Sequence, residues 1–114
     1  MTPFEFLFIG HLIGDYLLQT KWMAAGKATK WLPLLAHVTV YTLVIAVIAW
    51  VGFGGLSVVG VTVVFFSHGI LDRRGVVQWW VRTVTTPPES EKKWLTIMVD
   101  QTLHIIILGI VLYL

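Results

Sequence analysis

The chain has 114 residues, 57% of them hydrophobic and only 12% charged, with a mean hydropathy of +0.84 and a formal net charge of +2. A soluble domain carries about 25% charged residues, and one this short could not hide so much apolar surface, so residues 1–114 read as a single integral membrane domain. The lack of cysteine excludes disulfides, thiolate metal sites and cysteine nucleophiles, and the small, clustered excess of basic residues reports membrane orientation rather than nucleic-acid binding.

The N-terminal MTPFEF lacks the basic flank of a signal peptide, and no small-residue cleavage site follows it, so the first apolar run is expected to be a span. Four spans are expected: about Phe4 to Leu18, Leu32 to Val51, Leu56 to Asp72 and Trp94 to Leu114. GFGG at 52–55 predicts a tight turn, making the middle two an antiparallel hairpin. The predicted fold is therefore all-α, a membrane four-helix bundle. GVVQWWVRTV (75–84) predicts a short interfacial segment before the last span, with Trp79 and Trp80 at headgroup depth and with Ser90 or Glu89 capping the final helix. All eight basic residues fall in the first and last connections, Lys21, Lys27 and Lys30 in one, and Arg73, Arg74, Arg82, Lys92 and Lys93 in the other. With four spans these connections share one side. The positive-inside rule makes that side cytoplasmic, with both termini outside, in a multi-pass protein of a bacterial inner membrane.

Inside these greasy segments lie HLIGD (11–15), a lone His37, HGILD (68–72) and DQTLH (100–104). Residues at i and i+4 share a helix face, so each His–Asp pair can point inward together. The last span runs opposite to the first and third, and its motif is inverted. That inversion keeps each histidine one turn deeper than its aspartate. His11, His37, His68 and His104 and Asp15, Asp72 and Asp100 are thus expected in one polar layer of the inner half of the bundle. Ionisable side chains cost on the order of 2.5–3.5 kcal/mol at the centre of a span, so a cluster of them signals function. Imidazole with carboxylate suits a divalent metal, zinc first, as one ion or as two sharing a carboxylate.

Alternatives remain at this level: a structural polar network, a proton site, or a haem site. Haem is disfavoured because bis-histidine ligation does not explain an aspartate one turn from three of the histidines. Gln19, Lys27, Arg73 and Gln101 flank the cluster and are the candidate substrate-binding residues. Tyr16 and Tyr41 could donate to a ligand oxygen, although an interfacial or packing role explains them better. Gly10, Gly14 and Gly69 suggest close helix approach.

At these residues the chain resembles a small bacterial integral-membrane family catalogued as a domain of unknown function. The resemblance is carried by HLIGDYLLQTKWMAAGK (11–27), His37, HGILD and DQTLH, and it spans nearly the whole chain. The family pattern commonly has an acidic residue where this chain has Lys21. In style the chain is also similar to bacterial inner-membrane metal-dependent hydrolases with intramembrane histidines and acids. The function expected is a metal-dependent hydrolase at the cytoplasmic leaflet, acting on a lipid-linked ester or phosphate. Four histidines and three aspartates would be the ligands, with Asp15, Asp72 or Asp100 as general base. The alternatives are a divalent-cation or proton carrier and a structural partner subunit. The partners expected are membrane lipids, a lipid-linked substrate and a second copy of the chain, with no nucleic acid.

Overall fold

A computed structural model describes all residues 1–114, and it is all-α, without a strand. Helix α1 (Pro3–Leu12) starts in a capping box: Glu5 N–H donates to Thr2 Oγ1 at 3.2 Å, and Thr2 N–H donates to Glu5 Oε1 at 3.4 Å. It was expected to continue straight to Leu18. Instead it passes into a π-helical turn, Ile13–Leu17, closed by Leu18 N–H donating to the Ile13 carbonyl at 2.9 Å. The connection that follows holds an unexpected short helix, α2 (Lys21–Gly26), N-capped by Thr20.

Helix α3 (Trp31–Phe53) ends where Gly54 and Gly55 take φ of 91° and 112°, with Gly55 N–H reaching back to the Ala49 carbonyl at 3.0 Å. Only glycine adopts this geometry without strain, so the sequence stops α3 and turns it directly into α4 (Val58–Asp72). Helix α5 (Gly75–Trp80) and a second π turn (Val81–Thr85) occupy the expected interfacial stretch; Val77 and Val81 are buried while Trp79 and Trp80 face out. A 3₁₀ turn (Glu89–Glu91) leads into α6 (Lys92–Val111). Neither Glu89 nor Ser90 caps α6, because that turn places Glu91 at the N-cap, and Glu91 makes no side-chain cap.

Helix α1 packs on α3, α3 on α4, α4 on α6 and α6 back on α1, closing a ring of four. Thr2, Phe53, Ser57 and Leu114 gather at one end of the ring. Arg74, Lys92 and Lys93 gather round a cleft formed by the opposite connections. Leu7, Tyr41, Ile45, Ala49, Val64, Leu108 and Val111 fill the centre towards the first end. Gly14 lets α1 approach α3, since a Cβ there would lie 2.8 Å from Tyr41 Cδ2. Gly69 has no such role, its nearest neighbour being Val38 Cγ2 at 3.8 Å from the position of a Cβ.

Two helices are long and apolar enough to cross a membrane: Trp31–Phe53, with mean hydropathy 2.2, and Glu89–Val111, with mean hydropathy 1.7. Helix α4 is apolar but has only 15 residues, because Ser57 caps it at one end and Asp72 and Arg73 end it at the other. Helix α1 is shorter still.

Candidate metal centre

All four histidines and all three aspartates are buried, none more than 4% exposed. They meet between the four ring helices, as the inverted motif predicted; of the i, i+4 pairs only His68–Asp72 is in close contact, at 3.0 Å, while His11–Asp15 and His104–Asp100 stand 3.8 and 3.7 Å apart. Asp15 lies in the π turn, out of α-helical register. Its Oδ2 is 3.8 Å from His11 Nδ1, too long for a hydrogen bond, while its Oδ1 is 2.9 Å from His37 Nε2 and 3.4 Å from His68 Nε2. The Oδ2 of Asp72 is 3.0 Å from both His37 Nε2 and His68 Nε2, which are themselves 3.0 Å apart. Four donor atoms, from Asp15, His37, His68 and Asp72, thus lie within 4.8 Å of one another. Tetrahedral bonds of about 2.0–2.2 Å hold their ligand atoms roughly 3.3–3.6 Å apart, close to the spacing found here.

A second set shares Asp72. Its other oxygen, Oδ1, lies 3.3 Å from His104 Nε2, and Asp100 completes the group. His104 Nδ1 is 2.6 Å from the Asp100 carbonyl, an acceptor with no hydrogen to give. Nδ1 must therefore carry a proton and donate. In the neutral ring Nε2 then turns a lone pair towards a carboxylate oxygen. His104 Nε2, Asp72 Oδ1 and Asp100 Oδ1 are all buried without a hydrogen-bond partner. Buried acceptors facing one another without a hydrogen between them repel, and orphaned polar atoms are costly. A cation resolves both problems, and a ring nitrogen tied to a backbone carbonyl is how metal-binding histidines are usually oriented. The residues present fit a divalent metal. Against this, His37 Nδ1 and His68 Nδ1 have no partner of their own.

His11 stands outside both sets, with its two ring nitrogens engaged elsewhere. Nε2 lies 2.7 Å from Gln101 Oε1, and Nδ1 lies 2.8 Å from Tyr41 Oη. The Gln101 amide donates in turn to Asp100 Oδ2 at 3.2 Å, which fixes its oxygen towards His11. A directed chain results: the Tyr41 hydroxyl donates to His11, His11 to Gln101, and Gln101 to Asp100. It occupies Asp100 Oδ2 and leaves Oδ1 for the second donor set. Tyr41 also stacks on His68, ring centroids 3.8 Å apart. The sequence offered no signal to choose this tyrosine over an ordinary packing residue.

Of the flanking residues, Lys27 is buried, with Nζ 3.3 Å from Asp72 Oδ2. Gln19 donates to the Asp15 carbonyl at 3.1 Å. Arg73 turns away from the cluster, its guanidinium 4.2 Å above the Trp31 ring. Its neighbour Arg74 instead lines the cleft with Lys92 and Lys93. A cavity of about 10 Å³, room for one water, lies against His68, His104, Tyr41 and Ser67.

A family model described as "Protein of unknown function (DUF3307)" matches residues 4–114. The chain belongs to the DUF3307 family. The expected family resemblance is thereby met, and the polar cluster of this DUF3307 chain lies wholly within the matched residues. No curated protein and no solved structure matches it.

Proposed function

We propose that this DUF3307 protein is a four-helix bundle embedded in the bacterial inner membrane and a metal-dependent hydrolase working at its cytoplasmic leaflet. Support for the membrane comes from the outward faces. Leu43, Val47, Trp50 and Val51 of α3 and Val58, Val59, Phe66 and Ile70 of α4 are all exposed, an apolar surface that water tolerates poorly. The longest dimension, 44 Å, matches a bilayer with its headgroups. The basic connections lie at the end away from the termini, which the positive-inside rule assigns to the cytoplasm, with both termini outside. A reporter fused after Leu114 that works only in the cytoplasm would contradict this.

The observation that carries the hydrolase reading is the division of Asp72 between two donor sets. Asp15, His37, His68 and Asp72 enclose one position with four protein donors, as structural sites do. Asp72, Asp100 and His104 supply three donors to the other, the number that leaves a position open for chemistry. Zinc is the first choice for such nitrogen and oxygen donors, as one or two ions. A divalent ion there supplies a water of lowered pKa and polarises an ester or phosphoryl oxygen. The protein's own part is to keep Asp100 Oδ1 free through the Tyr41–His11–Gln101 chain, to exclude bulk water, and to present Arg74, Lys92 and Lys93 to an anionic group entering at the cytoplasmic end. That placement favours a lipid-linked ester or phosphate.

The enclosed four-donor set favours a second reading, a structural ion in a partner subunit. A transport path is less well supported, because Leu7, Ile45, Ala49, Val64, Leu108 and Val111 close the bundle beyond the site. Elemental analysis of the purified protein, with hydrolysis of lipid-linked esters and phosphates before and after chelation, separates the readings. Bound metal with metal-dependent turnover supports the hydrolase, and bound metal without turnover supports the structural ion. Without stoichiometric metal, and with no effect of chelators, both fall.

A further inference from the structure

Between α3 and α4, on the outside of the bundle, runs a groove of about 230 Å³. Leu34, Leu35, Val38, Phe65, Phe66 and Ile70 form its apolar wall, with Trp31 and Arg73 beside them. Trp31 opens α3 and Arg73 caps α4, so both lie at the same end of the groove, the end of the basic connections. From Trp31 to Val38 along α3, and from Phe65 to Arg73 along α4, the groove is about 10–12 Å long. Its chemistry is thus that of an amphiphile in mirror image: a cation at one end and an unbroken apolar track behind it.

Arg73 is not spent on any partner in the chain. Its guanidinium carbon lies 4.2 Å from the Trp31 ring centroid, and its buried Nη2 has no hydrogen-bond partner. A cation–π contact with a ring face uses none of the guanidinium's N–H donors, which remain able to bind an oxyanion, and a buried donor left without an acceptor is unfavourable. The neighbouring groove residues are apolar and cannot supply that acceptor.

We propose that this groove binds an anionic phospholipid of the cytoplasmic leaflet, with one acyl chain against Val38, Phe65 and Phe66 and the phosphate on Arg73. A helix of a partner protein fits less well. A groove about 10–12 Å long accommodates only about two helical turns, and it carries a single charge at its end. The inference rests on the membrane placement proposed above and not on the metal.

The test uses the full chain in detergent micelles, offered phosphatidylglycerol or phosphatidylcholine, with bound lipid counted by native mass spectrometry. Arg73→Gln removes the charge. Gly69→Leu fills the groove from its floor, where a Cβ meets nothing closer than 3.8 Å. Arg82→Gln serves as a basic control outside the groove. The wild type should hold one phosphatidylglycerol with about fivefold preference over phosphatidylcholine, the factor expected of one arginine at an anionic surface. Arg73→Gln should abolish the preference, Gly69→Leu should lose the lipid, and Arg82→Gln should change neither. Equal retention of both lipids by the wild type overturns the proposal. So does retention unchanged in Arg73→Gln and Gly69→Leu, or an equal loss in Arg82→Gln. Metal content read on the same samples reports separately on the donor sets: if metal is absent while lipid selectivity holds, the function proposed above fails and this inference stands.

Discussion

Lys27→Met should destabilise the protein strongly without metal and hardly at all with it. The Lys27 ammonium, with its side chain 10% exposed, lies 3.3 Å from Asp72 Oδ2, whose side chain is 1% exposed. At an effective dielectric constant of about 20, two unit charges at that distance attract by roughly 5 kcal/mol. Removing one partner of such a buried pair leaves the other uncompensated, a loss of about 3–5 kcal/mol. In chelated protein Lys27 is the only cationic side chain in an ion pair with Asp72 apart from the imidazoles, so this loss should appear in full. With a divalent ion on Asp72, the ion repels Lys27 while the carboxylate attracts it. The two effects oppose each other, and by the same Coulomb reasoning the variant should fall within about 1 kcal/mol of wild type. The assay is denaturant unfolding in micelles, wild type against Lys27→Met, with zinc and with chelator. Equal destabilisation under both conditions, or none under either, refutes the idea that Asp72 is shared between lysine and metal.

Further outcomes follow from the same geometry. In protein that holds an ion in each set, His104→Ala should lower bound metal from two ions to one by elemental analysis, because the four-donor set lacks His104; an unchanged count would show that the three-donor set is not a site. His11→Ala should keep its metal, since both ring nitrogens are engaged by Tyr41 and Gln101. It should lose about 1–3 kcal/mol in the same unfolding assay, as those two groups are left buried without partners; loss of both ions would return His11 to the ligands. Gly14→Ala should cost about 1–3 kcal/mol by overpacking, because the new Cβ meets both the ring and the Cα of Tyr41, at 2.8 and 3.3 Å. An unchanged unfolding midpoint would mean that α1 can move away from α3 at no cost.

The convergence of His37, His68, His104, Asp15, Asp72 and Asp100 was legible in the sequence because it depends only on helix direction and rise. HxxxD inverted to DxxxH is what antiparallel helices need to keep one layer. Of the partnerships, His68 with Asp72 was legible as an i, i+4 pair, and the others were not. Pairing Asp15 with His11 assumes unbroken α-geometry, and the π turn at Ile13–Leu17 breaks it. Gly54 and Gly55 announced their turn, since positive φ has a residue signature, whereas a π turn has none. Lys27 was expected to flank the cluster as a substrate-binding residue, and nothing in AAGKAT marks it as a partner of an aspartate. Only the docking of α2 on α3 carries it to Asp72. Arg73 and Arg74 are adjacent in sequence, and Arg73 was the one expected to flank the cluster. Arg74 has φ of 64°, so the chain turns sharply between them, and the two side chains serve opposite sides of α4.

The glycine turn between α3 and α4 also bears on how the molecule comes together. Three of the polar donors, His37, His68 and Asp72, belong to this one hairpin, and its connection is so short that closing it sacrifices little chain entropy. Asp15 must arrive from one flank, and Asp100 with His104 from the other, each across a longer connection. The hairpin is therefore the expected nucleus of assembly, with an ion held by its three donors before α1 and α6 arrive. Metal supplied during synthesis should then raise the yield of folded protein more than the same metal added afterwards, which membrane-coupled cell-free expression can measure. In that sequence of events the ion acts as a template for the bundle, drawing in the outer helices through the donors they carry.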